Sequence, residues 1–369
     1  MQVTCGQDQL NKAVALVGRA VSTRTTMPIL GNILLETRRE TIKLAATDLD
    51  HGIQTEVPAR IVHGGAITLP ARLFTEIVTN LPPADVQITV AENGTEVKVL
   101  CETITYDLMG LPAADFPLMP EPEAAPVASV DSGLLRTMVK QTAFAVSTDE
   151  TRVFLTGLYL VLDGKEIRLV ATDGGRLALR IGGLAKAATQ KVGVIVPAKT
   201  MHELARALTG VEGGVEISLA ENQILFTMPT ARVISRLIPG PFPNYQQVIP
   251  QSYKQRVTIG TERFLAAVRR VALTARDSAN VIRLQTQDET LILASNTPEY
   301  GRSEERIAVG VEGEPVATAF NARYLIDCLS VLETDELVLE LTGPLSPGVL
   351  RPAGQGEYTY VLAPVRVAA

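Results

Sequence analysis

The sequence predicts an α+β protein built from three diverged copies of one domain, each an antiparallel sheet layer with two helices packed on one side. Three observations carry the prediction. Short β-like runs recur along the chain, broken by Gly and Asn-Gly turn signals. Two amphipathic segments stand among the strands of each copy. Four markers recur in the same order with a period near 125 residues.

The first marker is a helical segment, expected at 7–20, 133–146 and 261–274. In the earliest, Leu10, Val14, Val17 and Val21 form the apolar stripe, with Lys12 and Arg19 about 180° away. The second marker is a β run closed by a polar pair: IKLAATDLD at Asp48, IRLVATDGG at Asp173 and LILASNTPE at Asn296, offset by 125 and 123 residues. The third is another helical segment, expected at 70–81, 198–209 and 321–332; Ala71, Ala198 and Ala322 are offset by 127 and 124. The fourth is a Pro-marked close: LPAADFPLMP, IPGPFPNYQQVIP and the shortened VLAPVRV. Between them VQITV, VKVLC, ITYDLM, VEISL, QILFTM, RVISRLI, LVLELT and YTYVLAPV read as strands, and AENGTEV as a hairpin turn. Repeats of this length are whole domains rather than solenoid units. The acidic, Pro-rich PLMPEPEAAPVAS and the stretch IPQSYKQ place the boundaries at 1–122, 123–250 and 251–369.

Composition excludes several classes. The 369 residues are 46% hydrophobic but only 4% aromatic, with no Trp, so the cores rest on Leu, Val, Ile and Ala. Cys5, Cys101 and Cys328 fit neither a metal motif nor a secreted disulfide framework. MQVTCGQDQL lacks a signal-peptide pattern, and no apolar run is long enough for a membrane span, so a cytoplasmic protein is expected. His51, His63 and His202 show no metal spacing. There is no phosphate-binding Gly-rich loop ending in Lys-Ser or Lys-Thr. Asp48 and Asp173 each follow a β run, and Asp173 precedes two glycines, so they read as turn residues. No enzyme, metal site or cofactor is expected.

The net charge of -6 is unevenly spread. The six helical segments hold eleven basic residues (Lys12, Arg19, Arg72, Arg136, Lys140, Lys199, Arg206, Arg263, Arg269, Arg270 and Arg323) against five acidic ones, for +6. The rest of the chain therefore carries -12. Helices that pack through one face and offer a basic face outward can hold a polyanion on one surface of an acidic protein. His202 lies on the flank of one such face. No base-reading motif is present, so contact with nucleic acid is expected to be to phosphates and blind to sequence. The alternative is a repeat-built protein-interaction scaffold that never touches DNA.

At this point the chain resembles the bacterial DNA polymerase III beta subunit (β sliding clamp) family. The resemblance runs from Met1 to Ala369 and rests on MPILGNILLE at 27–36, LPAADFP at 111–117, VATDGGRLA at 170–178, PFPNYQQVIP at 241–250 and YVLAPVRV at 360–367. It implies a DNA clamp fold: three domains per subunit and a head-to-tail homodimer ring whose helices line a pore around duplex DNA. Arg24 joins the expected DNA contacts on this ground. The implied partners are the polymerase catalytic subunit, the clamp-loader ATPase complex and repair proteins.

The resemblance also implies a peptide pocket. Its matching positions are Leu155, Thr172, Gly174, Gly175, Arg176 and Leu177, then Pro243, Gln247 and Val248. From the end of the chain come Ser346, Val361, Leu362, Ala363, Pro364, Val365 and Arg366. Arg176 and Arg366 are expected as polar heads at its edge. Some relatives carry histidine where this chain has Gly175, arginine where it has Gln247, and methionine where it has Ala363, so a less basic pocket with a different contour is expected. The subunit contact is implied at Tyr106 and Leu108 on one side and Ala272 and Leu273 on the other.

Overall fold

The computed structural model describes the chain except residues 23–25, 118, 120–124, 276–279, 299, 355 and 367–369. Among the described residues six α-helices match the six expected segments, α3 starting one residue early: α1 Gln7–Val17, α2 Ala71–Asn80, α3 Ser132–Thr142, α4 Ala198–Ala207, α5 Thr261–Val271 and α6 Ala322–Leu329. At 8 to 11 residues each is too short to persist alone in water, so packing holds them. Their apolar stripes are buried: Leu10, Val14 and Val17 on α1, Phe264, Ala267, Val268 and Val271 on α5, Leu325, Cys328 and Leu329 on α6. The first helix of each repeat, α1, α3 and α5, tightens into a single 3-10 turn at its end. Each also starts alike: the opening N–H groups of Gln7, Ser132 and Thr261 donate to the carbonyls of Ala84, Gly213 and Asp335, doing the work of a side-chain cap.

The described chain divides into two compact units. The first comprises 1–133, 185–189 and 203–237; the second 134–184, 190–202 and 238–369. This division cuts across the three sequence repeats because hydrogen-bonded sheets run from one repeat into the next. In the first unit, a five-stranded sheet runs Arg60–His63, Gln2–Gly6, Asp85–Val90, Glu96–Cys101, Ile104–Met109. A nine-stranded sheet contains, in adjacent places, Thr41–Thr47, His51–Pro58 and Ala231–Arg236, so that repeat one pairs with repeat two. The second unit repeats the device: Glu166–Thr172, Arg176–Gly183 and Tyr358–Leu362 are neighbours in another nine-stranded sheet, pairing repeat two with repeat three. A four-stranded sheet runs Gly301–Ala308, Thr290–Thr297, Val281–Gln287, Thr318–Asn321. Every ladder is antiparallel, as the alternating runs and hairpin turns predicted.

One joint is therefore built twice. The strand after the Asp turn in one repeat pairs with the last strand of the next. The two remaining counterparts, Gly301–Ala308 and Ile104–Met109, each lie at the edge of a sheet.

Candidate functional site

The site begins at the turn after strand Glu166–Thr172. Asp173 Oδ1 accepts hydrogen bonds from the N–H groups of Gly175 (2.8 Å) and Arg176 (3.0 Å). Thr172 Oγ1 accepts from Gly174 N–H at 3.1 Å and donates to the Arg176 carbonyl at 2.6 Å. Gly174 sits at φ +93°, where a side chain is strained. Asp173 is thus occupied as a turn residue, and Asp48 makes the same bonds to Asp50 and His51 in the first repeat. Among the described residues no group of acidic, Cys or His side chains is placed to hold a metal.

Arg176 corrects the sequence reading. Its side chain is only 9% exposed. Nε bonds Asp173 Oδ2 at 3.0 Å, one terminal nitrogen bonds Asp327 Oδ2 at 2.5 Å, and the other donates to the Phe144 carbonyl at 2.7 Å. The guanidinium lies 4.4 Å from the Tyr324 ring centroid and 5.5 Å from that of Phe144. Burial works against its charge, but the Asp327 bond and the other negative neighbours hold its pKa above the ordinary value. Arg176 is an internal strut tying its own strand and turn to the Phe144 segment and to α6, with each of its three nitrogens engaged.

Beside this strut is a cavity of about 270 Å³, wholly within the second unit. Leu155, Leu177 and Val361, each 5% exposed or less, form an apolar floor. Thr172, Gly174, Gly175, Arg176, Pro243, Val248 and Ala363 complete the expected lining that meets here. Val248 is 50% exposed, so one wall opens outward. Asn244, Tyr245 and Pro347 also line it and were not anticipated, although Asn244 and Tyr245 lie inside the quoted PFPNYQQVIP. Tyr245 is held by Tyr159, which stacks on Phe242 at 4.8 Å, so three of the chain's few aromatics back the cavity.

Six expected positions do not line it. Leu362 is fully buried: next to Val361 on one strand, it points to the opposite face of the sheet. Gln247 is exposed on the short helical turn Tyr245–Val248. Ser346 N–H closes a turn onto the Gly343 carbonyl, and Val365 N–H donates to the Ala319 carbonyl; Pro364 and Arg366 flank that bond and are not part of the lining. A larger cleft of about 530 Å³ lies in the first unit, but Lys12, Lys43, Glu56 and Arg232 give it mixed charged walls rather than an apolar floor.

The basic helix residues are not equally available. Lys12 pairs with Asp8 at 2.8 Å. Arg19 and Arg206 flank the buried Glu203 at 3.6 and 2.6 Å. Arg270 grips Glu305 through two bonds of 2.9 and 2.6 Å, and Arg269 reaches Ser330. Lys199 and His202 are exposed on α4 and each engages a neighbouring group. Among the described residues Arg72, Arg136, Lys140, Arg263 and Arg323 form no ion pair, and all but the half-buried Arg136 are exposed. Arg24 lies outside the described residues.

On the edge strand Ile104–Met109, Tyr106 is 37% and Met109 64% exposed, but Leu108 is 8% exposed and belongs to its own unit's core. Of the expected contact pair there, only Tyr106 offers surface. Leu273 is 54% exposed beside a half-buried Ala272. The three thiols are buried, and burial pushes Cys5 and Cys328 up to about 12.

Sheets shared between successive repeats, with paired short helices, define a clamp-type architecture. The chain matches the DNA polymerase III beta subunit N-terminal domain over 1–120, the central domain over 129–244 and the C-terminal domain over 246–366. It is 34% identical over 377 residues to the beta sliding clamp of Bacillus subtilis, covering 99% of this chain and 100% of that one. It is 33% identical over 374 residues to that of Synechococcus elongatus, covering both chains fully. The solved DNA polymerase sliding clamp from Bacillus subtilis superposes with a TM-score of 0.95 at 33% identity. A sliding clamp from Bartonella birtlesii bound to griselimycin superposes at 0.93 and 34%; both structures are covered fully, as is this chain. The chain therefore belongs to the DNA polymerase III beta subunit family, the sliding clamps that act as processivity factors in DNA replication.

Proposed function

We propose that two copies of this chain close head to tail into a ring around duplex DNA and tether the replicative polymerase to it. The observation that carries the proposal is the joint built twice within the chain and left half-made twice more. Gly301–Ala308 is the third-repeat counterpart of His51–Pro58 and Arg176–Gly183, and Ile104–Met109 is the first-repeat counterpart of Ala231–Arg236 and Tyr358–Leu362. Each is an edge strand awaiting the type of partner that the other supplies. Pairing them between copies makes a heterologous contact, which closes once the rotations complete a turn. Six domains, divided at 1–122, 123–250 and 251–369, then make the ring.

The outward basic faces of the helices supply phosphate contacts without base readout. The cavity floored by Leu155, Leu177 and Val361 takes apolar side chains of extended peptide segments from the polymerase subunit, the clamp loader and repair proteins. The griselimycin-bound relative supports the reading that clamps of this kind present a ligand site. The ring performs no catalysis, opens through a separate ATPase and works in the cytoplasm. The test is retention on nicked circular DNA after loading. Retention that disappears when the circle is linearised is expected; equal retention on both forms would exclude encirclement.

A further inference from the structure

The end of the first helix is built alike in the three repeats, except in its chemistry. The 3-10 turn that closes it ends on Ala20, Ala145 and Thr274. The next core-facing residue after Leu44, Leu169 and Leu293 is Ala46, Ala171 and Ser295. Across the ladder from these stand Ile53, Ala178 and Ser303. The first two repeats thus bury only apolar side chains at this spot, all with 0% exposure. The third places three hydroxyls there.

These hydroxyls engage one another. Thr274 Oγ1 lies 2.6 Å from Ser303 Oγ and within hydrogen-bond reach of Ser295 Oγ, and the two serines are 3.0 Å apart. All three reach the Val271 carbonyl, at 3.1 Å from Thr274 and Ser295 and 3.3 Å from Ser303. Val271 ends α5, where a helix leaves carbonyls without donors of its own. Three residues on, the Thr274 carbonyl accepts from Thr297 Oγ1 at 3.0 Å. Ala272 and Leu273 are therefore strung between two anchored carbonyls, with Leu273 turned outward at 54% exposure.

Among the described residues this chemistry falls in the one repeat whose post-turn strand has no outer neighbour. His51–Pro58 and Arg176–Gly183 are each covered by a strand of the next repeat. Gly301–Ala308, which carries Ser303, lies at the edge of its sheet. An uncovered strand gains no ladder bonds on its outer side, and here side-chain hydrogen bonds tie it to the helix end instead.

We propose that Thr274, Ser295 and Ser303 form a hydroxyl clasp that fixes the turn of Ala272 and Leu273 in the position from which Leu273 meets a second copy of this chain. They are positioning residues of the joint between copies, acting through Leu273 without touching the partner. The proposal rests on the reading of Gly301–Ala308 and Leu273 as one side of that joint.

The experiment is sedimentation equilibrium over a concentration series, with circular dichroism to confirm folding. Thr274→Ala, Ser295→Ala and Ser303→Ala together copy the second repeat. They should raise the dimer dissociation constant about tenfold, the cost of ordering a loosened turn on binding. The fold should persist, since exchanging all members of a hydrogen-bonded group for apolar ones can be nearly neutral. Leu273→Ala supplies the readout that a merely structural role would not move: in that background the triple change should weaken the dimer little further. Thr274→Ser keeps the hydroxyl and should sediment as wild type. A folded triple variant with an unchanged dissociation constant overturns the proposal, and so does a loss that adds in full to that of Leu273→Ala. If the triple variant unfolds, Ser303→Ala alone, expected at about threefold, is judged by the same two criteria. A wild type that stays monomeric, or a Leu273→Ala variant that dimerises undiminished, would sink the joint itself and the clasp with it, an outcome distinct from failure of the clasp alone.

Discussion

Replacing Arg176 with Met tests whether this residue is a strut. The substitution keeps an unbranched apolar stem and removes the guanidinium. Three bonds vanish, to Asp173 (3.0 Å), Asp327 (2.5 Å) and the Phe144 carbonyl (2.7 Å), together with stacking on Tyr324. Breaking a buried pair by removing one partner costs roughly 3–5 kcal/mol. Two features put this case near the low end. The Asp327 side chain is 30% exposed and can recruit water, and Asp173 keeps both backbone donors after the loss. The stranded Phe144 carbonyl adds the cost of an unmade hydrogen bond, roughly 1–3 kcal/mol. We expect a net loss of roughly 4–6 kcal/mol, read as a lower urea midpoint for the transition of the second unit, with little change in slope. In a double-mutant cycle with Asp327→Asn, the two changes should cost less together than the sum of their separate losses. A stability change under about 1 kcal/mol with additive single effects would refute the strut and return Arg176 to the rim.

Three further outcomes follow from the same geometry. Changing Arg72, Arg136 and Lys140 to Ala together should weaken DNA retention and shrink its salt dependence by roughly 3 in the log–log slope, while leaving dimer content unchanged; the same treatment of the ion-paired Lys12, Arg206 and Arg270 should do less. Leu273→Ala should lower dimer content in sedimentation without lowering unfolding stability, whereas Leu108→Ala should destabilise its own unit by roughly 2–4 kcal/mol. The hydrogen bond from Arg270 holds the Glu305 carboxyl below its ordinary value, so the pair adds stability that is full above the ordinary glutamate range and is lost as pH falls through the lowered value. Arg270→Ala should move the Glu305 carboxyl resonance midpoint upward, and an unmoved midpoint would remove this ion pair from the account.

The helices and strands could be read from sequence because each carries its own period. Phe264, Ala267, Val268 and Val271 announce a buried helical face without reference to any other segment. Asp173 as a turn residue was equally local, since its bonding partners lie two and three residues on. Arg176 was not legible: its partners come from positions 144, 173 and 327, and only tertiary packing brings 144 and 327 to it. Leu362 was misplaced against a rule that was available. Adjacent strand residues face opposite sides, so with Val361 in the cavity Leu362 belongs to the core behind it. Leu108 was assigned to a contact by resemblance alone; burial within its own unit shows what that could not.

The three copies of the joint also differ in a way that bears on how a ring would open. In the first two, the Thr-Asp turn offers a backbone carbonyl, of Asp50 or Gly175, to the strand arriving from the next repeat. In the third, Asn296 stays in the strand opposite Arg302 and the ladder runs on to Thr297 and Gly301. The two inner joints are also tethered by the chain, which makes them effectively intramolecular. A joint between chains has no such tether and must offset several kcal/mol of lost rigid-body freedom, roughly 4–15. With that added entropic cost, the proposed contact between Gly301–Ala308 and another copy's Ile104–Met109 is the one that should yield first. In the proposed two-copy ring, an opening factor would need only to bias one of the two joints between copies, while the shared sheets of each unit stay closed.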